Sequence, residues 1–326
     1  QRKVKGNLTP EANILEPVYI EHRDDWIIKE KEFKKLETDL EETDLYLVDR
    51  GAGLAQFVAV KIGERYKKPV AMVGGELNSN LPMGCDAISH LRAKNLEGYV
   101  LLNYSELNHL IFLLQVRKSI KRTKILRITE KKFDNVNGNF LDLEKFKMKF
   151  GIDYKDVSIS ELVEEMDKIA QSKTEQKKAE EIADKLIKGA QKVHMKREYI
   201  ISSVNFYLAV KNLMKEYKCN AFTANCFELC PDRRVASQRK AVPCLTHTLL
   251  KDEGIPSACE GDINVLLTIM FLKYISKKSV YMGNICMIKR KGNIMAVHHD
   301  VPGMKMKGFA RPNFPYEIRN FTYEGW

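Results

Sequence analysis

Two short stretches of the chain decide the predicted fold: residues 221–228 read AFTANCFE, and residues 257–262 read SACEGD. Each stretch starts with a short apolar run and passes directly into acidic residues, which are Glu228 in the first and Glu260 and Asp262 in the second. A short apolar run bounded by turn residues is typical of a buried strand. Because ligand crevices of open α/β sheets lie just past the carboxyl ends of the strands, we expect these three carboxylates to converge.

The same pattern of short apolar runs extends in both directions from these stretches. Amphipathic helical stretches separate the runs, and this alternation predicts βαβ units with mostly parallel strands. Towards the C-terminus, two extended runs flank a basic turn and predict an antiparallel hairpin of residues 280–288 and 294–300. The other predicted strands are 45–48, 69–73, 99–102, 125–128, 153–159, 221–227 and 257–259. The predicted helices are 54–66, 87–94, 106–117, 162–170, 174–193, 198–217, 244–250 and 263–275.

We therefore predict an α/β protein with two successive doubly wound, Rossmann-like parallel-sheet domains and a small antiparallel β domain at the C-terminus. The predicted boundaries are an N-terminal α/β domain at 1–122, a central α/β domain that carries the carboxylates at 123–276, and a C-terminal β domain at 277–326. A chain of 326 residues is long enough for two domains and a small third one.

Basic residues outnumber acidic ones, with 54 Lys and Arg against 43 Asp and Glu and a formal net charge of +11. They are scattered rather than gathered in one stripe, and between residues 168 and 197 they are interleaved with acidic residues at helical spacing. This mixing is typical of a solvated helix face, so we predict no nucleic-acid partner. The most apolar stretch, 265–272, is too short to cross a bilayer, so we also predict no membrane partner.

The seven cysteines are an odd number, and six of them lie between Cys219 and Cys286. This usage is typical of reduced thiols rather than of a secreted disulfide framework, and we predict a cytoplasmic location. Four thiols could form a metal quartet, although their spacings lack the paired C-x2-C of structural zinc sites and free Cys is also a common buried residue. These four are Cys226, Cys230, Cys244 and Cys259.

The three carboxylates at the predicted strand ends favour a cation site. Like charges beside a buried sheet repel one another unless a cation or a shared proton offsets them. Carboxylate oxygens with an imidazole suit Mn²⁺ or Mg²⁺ better than thiolates do, and the predicted hairpin ends in His298-His299. Since successive side chains of a strand point to opposite faces, we expect only one of the two histidines to face the site.

Each candidate residue also has a structural explanation. Asp262 precedes a predicted helix and could be its N-cap. Glu228 could form an ordinary surface pair with Arg233 or Arg234. The histidine pair could be structural or exposed to solvent.

A glycine-rich stretch near the N-terminus favours a different class of protein. Gly51-Ala52-Gly53 follows a predicted strand and opens a predicted helix, as in dinucleotide-binding proteins. Gln56 stands where the third glycine of that motif belongs, so we predict a simple tight turn. An NAD-dependent oxidoreductase is therefore the weakest of the hypotheses.

Several sequence segments in the C-terminal half resemble those of the L-fucose/L-arabinose isomerase superfamily, and most of all those of its shorter fucose-isomerase-like members. The strong part of the resemblance covers residues 218–302, while the first 120 residues are similar in architecture only. The segments that carry it are CFE at 226–228, VPCL at 242–245, LKDEGIP at 250–256, ACEGD at 258–262 and GNIMAVHH at 292–299, with KFGI at 149–152 and SEL at 160–162.

The resemblance implies an aldose–ketose isomerase that acts on a sugar through an enediol with a divalent cation, typically Mn²⁺, with Mg²⁺ or Co²⁺ as alternatives. It implies Glu228 as the first carboxylate ligand and leaves both Glu260 and Asp262 as candidates for the second. The histidine ligand would be His298 or His299. We expect Glu228 and Asp262 to transfer the proton. A sugar-binding or regulatory protein that keeps the fold without the chemistry is the alternative.

The resemblance also implies a homo-oligomer, a trimer or a hexamer, in which the first domain of a neighbour closes the site. Loops at Asp49-Arg50 and Gly74-Gly75-Glu76 would then face another subunit. Family members continue beyond the point that corresponds to Trp326, so the C-terminal β domain is expected to be incomplete here. Phe227-Glu228 stands where the family often has Trp-Pro.

Overall fold

The computed structural model describes residues 8–10, 12–20, 30–48, 55–74, 80–130, 143–230 and 233–320. The chain divides into two compact units, Gln1–Arg117 and Lys118–Trp326. The second unit contains both the predicted central domain and the predicted C-terminal domain, and the boundary between them at residue 276 stays a prediction.

Helices and strands alternate through most of the described chain. The helices are α1 Glu30–Glu37, α2 Ala55–Tyr66, α3 Asn80–Ala93, α4 Tyr104–Lys121, α5 Leu143–Phe150, α6 Ile159–Gln171, α7 Lys173–Gly189, α8 Arg197–Glu216, α9 Cys226–Leu229, α10 Cys244–Asp252 and α11 Ile263–Ser276, with a π-helical turn at Arg233–Ser237. The strands are β1 Tyr46–Val48, β2 Val70–Val73, β3 Gly98–Leu101, β4 Lys124–Ile128, β5 Asp153–Val157, β6 Lys192–Val193, β7 Ala221–Ala224, β8 Ser257–Ala258, β9 Asn284–Lys289, β10 Ile294–His298 and β11 Glu317–Ile318.

The first unit is built on a three-stranded parallel sheet in the order β1-β2-β3. On the central strand β2, Val70 and Met72 belong to a hydrophobic core shared with α2 and α3, whereas Ala71 belongs to a second core shared with α4. Since successive residues of a strand point to opposite faces, helices cover both faces of this sheet. This is the doubly wound arrangement predicted from the alternation of strands and helices.

The second unit contains a four-stranded parallel sheet in the order β5-β4-β7-β8. The chain runs from β4 outward to β5, returns to the other side of β4 with β7, and continues outward to β8. The strand order therefore reverses between β4 and β7, where Ile128 and Ala224 are register partners at the ends of their strands. In open α/β sheets such a reversal is the switch point, and the ligand crevice lies outside the carboxyl ends of the strands there.

The core of the second unit packs against this sheet and holds its strands in place. Leu126 of β4 and Phe222 of β7 are fully buried together with Leu162 of α6 and Val204 of α8. Burying a large apolar side chain contributes about 1.5–3 kcal/mol each. The strand ends that carry the acidic residues are thus attached to the buried core of the unit.

Two predicted strands of this sheet are longer than the observed ones. The strand predicted at 221–227 ends at Ala224, because its register partner Ile128 is the last residue of β4 and the chain then turns into α9. The strand predicted at 153–159 ends at Val157, because Ser158 caps α6 by accepting a hydrogen bond from the Glu161 amide at 3.1 Å.

Some short elements were not predicted. The helix predicted at 174–193 ends at Gly189, and Lys192 and Val193 then pair in parallel with the two residues of β11. Two-residue strands carry no periodic pattern, so the sequence gives no sign of them. The eight-residue helices α1 and α5 were missed as well.

The predicted C-terminal hairpin is confirmed, since β9 and β10 pair antiparallel. Its register shifts where Ala296 pairs with Met287 and Val297 pairs with Ile285, so Cys286 is the extra residue of a β-bulge in β9. A bulge bends the strand that contains it. All six residues of β9 are exposed.

The predicted fold class is confirmed: the two larger sheets are parallel, and a small antiparallel sheet lies near the C-terminus. The loops predicted to face a neighbouring subunit, Asp49-Arg50 and Gly75-Glu76, lie outside the described residues, as does Gly51-Ala52-Gly53. Among the helices that the structure describes, none is long and apolar enough to cross a membrane.

Candidate functional site

The acidic residues of the central sheet lie at two neighbouring places on its carboxyl side. We call the first the switch-point edge; it consists of Thr129 and Glu130 after β4 and Asn225 and Glu228 after β7. We call the second the hairpin edge; it consists of Glu260 and Asp262 after β8 and the histidines of the hairpin.

Glu228 lies at the switch-point edge with one of its two carboxylate oxygens engaged. Its Oε2 accepts hydrogen bonds from the Glu130 amide at 2.8 Å and from the Thr129 hydroxyl at 3.2 Å. Its Oε1 is buried and finds no hydrogen-bond donor among the described residues. A carboxylate held through one oxygen has a defined orientation, and the other oxygen is left to act on a proton or a cation.

Glu130 ties the switch-point edge to the next helix. Its Oε1 accepts from the amide of Ile159, the first residue of α6, at 2.8 Å. A carboxylate at a helix N-terminus is stabilised by the exposed amides there. This bond holds Glu130 in place, and the backbone amide of Glu130 in turn orients the Glu228 carboxylate.

A tight turn after β8 forms the hairpin edge. Glu260 and Gly261 both have left-handed backbones, with φ of 64° and 66°, and the Gly261 amide donates to the Ala224 carbonyl at 2.8 Å. Asp262 is the N-cap of α11, and its Oδ1 accepts from the Val265 amide at 2.9 Å. The capping role that the sequence left open for Asp262 is therefore present in the structure.

The structure separates the two candidate histidines. His299 has a side chain only 9% exposed, and its Nε2 lies 3.5 Å from Glu260 Oε1, whereas His298 is exposed and pairs with Asn284 in the hairpin ladder. The Asp300 amide donates to His299 Nδ1 at 2.9 Å, which places the proton of the neutral ring on Nε2, towards the carboxylate. The Asn284 side-chain amide also donates to Glu260 Oε1, at 3.0 Å.

The carboxylate and imidazole groups at the two edges are of the chemical type that a hard divalent cation binds. Carboxylate oxygens and imidazole are its common ligands, and a buried carboxylate oxygen without a donor, as in Glu228, is the group that a cation would neutralise. Within the described ranges, however, no group of three or more His, Cys, Asp or Glu side chains converges closely enough to hold a metal ion. The structure brings Glu260 and His299 together and does not gather the whole predicted set in one place.

Two thiols also meet near these edges. A hydrogen bond between Cys226 and Cys259 lowers the pKa of Cys226, while the same contact and burial raise the pKa of Cys259 well above its usual value. Burial likewise raises the pKa of Cys244. The Cys226–Cys259 contact packs the turn after β7 against the turn after β8.

Helix α10 holds the chain segment that follows His299. Lys251, which is 2% exposed, donates from Nζ to a backbone carbonyl, and burial lowers its pKa to about 8. Neighbouring side chains of α10 bond to the same segment, and together they fix the end of the hairpin at the sheet. The bonds run from Thr248 Oγ1 to Pro302 O, from Lys251 Nζ to Val301 O, and from the amides of Met304 and Lys305 to Asp252.

Sequence reasoning missed several of these residues. Thr129 and Glu130 directly follow the strand predicted at 125–128, so the strand-end rule that identified Glu228 also indicates them. Asn225 was predicted inside a strand, and only the early end of β7 reveals its position. Asn284 and Lys251 carry no signal in the sequence that distinguishes them from other polar residues.

Residues 128–278 match the sequence model of the L-arabinose isomerase central domain. The match runs from the end of β4 to just past α11, slightly less than half of the chain, and contains Glu228, Glu260 and Asp262 but not the histidines. No curated protein matched the chain. The resemblance to the L-fucose/L-arabinose isomerase superfamily is thus confirmed for this segment, and it points to an isomerase of sugars.

Proposed function

We propose that the protein is an aldose–ketose isomerase that depends on a divalent cation, with Mn²⁺ as the first candidate. The observation that carries the proposal is the state of Glu228. This carboxylate lies at the switch point of a sheet that matches a sugar isomerase domain, and it is held through Oε2 while Oε1 is buried without a donor.

Glu228 has the geometry of a proton-transferring group. Aldose–ketose conversion moves a proton between two adjacent carbons through an enediol, and a carboxylate with a free oxygen can take the proton from one carbon and return it to the other. The bonds from Thr129 and Glu130 keep Oε2 in place, so Oε1 is the atom that would carry the proton. General acid–base catalysis of this kind contributes roughly 10²–10⁴ in rate.

The cation would be held at the hairpin edge by Glu260 and His299, whose Oε1 and Nε2 lie 3.5 Å apart, and Glu228 Oε1 would stay available for the proton. When bound, it would polarise the neighbouring sugar oxygens as a Lewis acid. His299 is preferred over His298 because its ring faces Glu260. Asp262 stays the candidate for a second proton carrier, in addition to its role as the cap of α11.

Two further parts of the proposal come from the resemblance. Assembly into a homo-oligomer with shared sites, and a cytoplasmic location, are expected of a protein of this superfamily. Light scattering together with activity measured on dilution tests the first of these: a fully active monomer would contradict shared sites and leave the chemistry standing.

The direct test is a screen of aldoses, beginning with L-arabinose and L-fucose, for formation of the corresponding ketose. The protein is first treated with EDTA and then assayed with and without added Mn²⁺. We expect ketose to form with at least one aldose and only when the cation is restored. Sugar binding without turnover, at any cation concentration, would favour the alternative of a binding or regulatory protein.

A further inference from the structure

The turn between β7 and α9 contains a helix-capping pattern that the structure does not use. Asn225 is the N-cap of α9 and Glu228 stands three residues later, which is the spacing of a reciprocal capping box. In a capping box, the first side chain accepts from the amide of the third helical residue, and the acidic side chain returns to the amide of the cap. Such bonds stabilise a helix start, so their absence needs a reason.

Both side chains of this pattern are diverted from their capping partners. The Asn225 side chain makes no cap hydrogen bond. The backbone amide of Asn225, which the acidic side chain of a capping box would accept from, donates instead to the Ile128 carbonyl at 3.0 Å. The Glu228 side chain turns to β4, where it meets Thr129 and the Glu130 amide. The turn is therefore shaped by contacts across the switch point rather than by its own local hydrogen bonds.

This diversion leaves two buried acceptors in one turn. Asn225 is 3% exposed, and its Oδ1 finds no donor among the described residues; the same holds for Glu228 Oε1. A buried acceptor without a donor is unfavourable, because it has lost its hydrogen bonds to water and gained none in exchange. Both of them lie where the strand order reverses, which is where the ligand crevice of an open α/β sheet is found.

We propose that Asn225 is a sugar-binding residue whose Oδ1 accepts a hydrogen bond from a hydroxyl of the substrate, next to Glu228 in the same turn. The inference rests on the proposed function for the nature of the ligand. A neutral amide oxygen suits a hydroxyl group, which is a donor, and it carries no charge that would draw the cation from the hairpin edge. Asn225 would thus position the sugar beside the carboxylate that transfers the proton.

The proposal predicts that removal of the Asn225 side-chain amide does not lower the stability of the free protein but weakens sugar binding. Asn225→Leu replaces an unpartnered polar group by an apolar one of similar size, so the melting temperature of the free protein should be unchanged or higher. Binding of L-arabinitol, a polyol that has no carbonyl and cannot be isomerised, should weaken about tenfold, which corresponds to about 1.4 kcal/mol for one lost hydrogen bond. The readout is the rise in melting temperature with polyol concentration, in the presence of Mn²⁺.

A matched control is Asn212→Leu, since Asn212 donates from Nδ2 to Glu165 at 2.8 Å between two helices. This control should lower the melting temperature and leave polyol binding unchanged. Asn225→Ala serves if the leucine variant does not fold, because it removes the amide without adding volume.

The outcomes separate this inference from the proposed function. A wild-type protein that binds the polyol and does not isomerise sugars, together with weaker binding by the Asn225 variants, supports the inference while the proposed function fails. Variants that lose stability and keep wild-type polyol binding show that Asn225 is structural, and the inference is then wrong even if the enzyme is active. The absence of any polyol-dependent shift in the wild-type protein also overturns it.

Discussion

The switch-point edge and the hairpin edge carry the same kinds of side chain and use them differently. At the switch-point edge, Glu228 is held through one oxygen and its other oxygen is buried without a donor among the described residues. At the hairpin edge, Glu260 Oε1 accepts from Asn284 and faces His299, and Asp262 caps a helix. The first arrangement leaves one buried carboxylate oxygen without a partner, whereas in the second the side chains hold the hairpin to the turn after β8 and cap α11.

This difference shows why acidic residues at strand ends are not equivalent candidates. A carboxylate whose oxygens are partnered within the fold contributes to stability, and a carboxylate with one free buried oxygen stores an unfavourable interaction that a ligand can relieve. We therefore expect a change at Glu228 to act mainly on turnover, and changes to the contacts of Lys251 and Asp262 to act mainly on stability. The following predictions test that division.

The largest effect is expected for Glu228→Gln. The change keeps the shape of the side chain and removes the negative charge, so the protein should fold and lose at least about a hundredfold in kcat, since general acid–base catalysis is worth roughly 10²–10⁴ in rate. The measurement is steady-state turnover of an aldose identified in the screen, with circular dichroism as the test of folding.

Glu165→Gln is the matched control for this prediction. Glu165 is also a largely buried carboxylate with two donors, Asn212 and Lys168, and it lies on α6. Its amide variant should keep near-normal kcat. If Glu228→Gln turns over as fast as Glu165→Gln, Glu228 has no part in the chemistry and the contrast between the two edges is lost.

The second prediction concerns the pH dependence of stability that comes from Lys251, which bonds to the segment after the hairpin. Burial lowers its pKa from an ordinary value of 10.5 to about 8, with opposing contributions from Cys259 and Asp252. Between these two values the unfolded chain binds a proton that the folded chain has released, so stability rises with pH from about 8 to about 10.5. At about 1.36 kcal/mol per pKa unit, the rise amounts to about 3 kcal/mol, and the corresponding destabilisation is fully present below pH 8.

Urea unfolding of the wild-type protein and of Lys251→Met across this pH range measures the effect. The methionine variant should lack the part of the rise that comes from Lys251, and the difference between the two curves isolates it from other titrating groups. Parallel curves would show that Lys251 keeps its ordinary pKa in the folded protein and contributes no pH-dependent stability.

The smallest predicted effect is that of the cap at Asp262. Asp262→Ala should lower the free energy of unfolding by about 1 kcal/mol, because it removes the bond to the Val265 amide, and Asp262→Asn should retain most of that stability. The asparagine variant also separates the two roles of this residue. Normal stability with greatly reduced kcat would identify Asp262 as the second proton carrier, whereas normal stability with normal kcat would leave it a cap only.

Much of the fold could be predicted because its signals are local. Apolar runs separated by helical patterns predicted the parallel sheets, and the basic turn after residue 288 predicted the hairpin. Strand ends were less certain, because a strand stops where its neighbour stops. β7 ends at Ala224, whose register partner Ile128 is the last residue of β4.

The candidate site was predictable in part for the same reason. The rule that ligands lie past the carboxyl ends of parallel strands identified Glu228, Glu260 and Asp262 without knowledge of the strand order. It could not decide between His298 and His299, because strand alternation indicates only that the two side chains point to opposite faces. Which of them faces Glu260 depends on how the hairpin packs against the turn after β8.

The sequence by itself determined which residue types follow each strand, and with them the α/β class and the acidic character of the site. Only the tertiary structure decided how those residues are used, because the decisive partners are far apart in the chain. The contact of Glu228 with Thr129 joins residues 99 positions apart, and that of Glu260 with Asn284 joins residues 24 apart. Local patterns reflect backbone geometry within a few residues, whereas the donors of a buried carboxylate are set by the order in which strands assemble into a sheet.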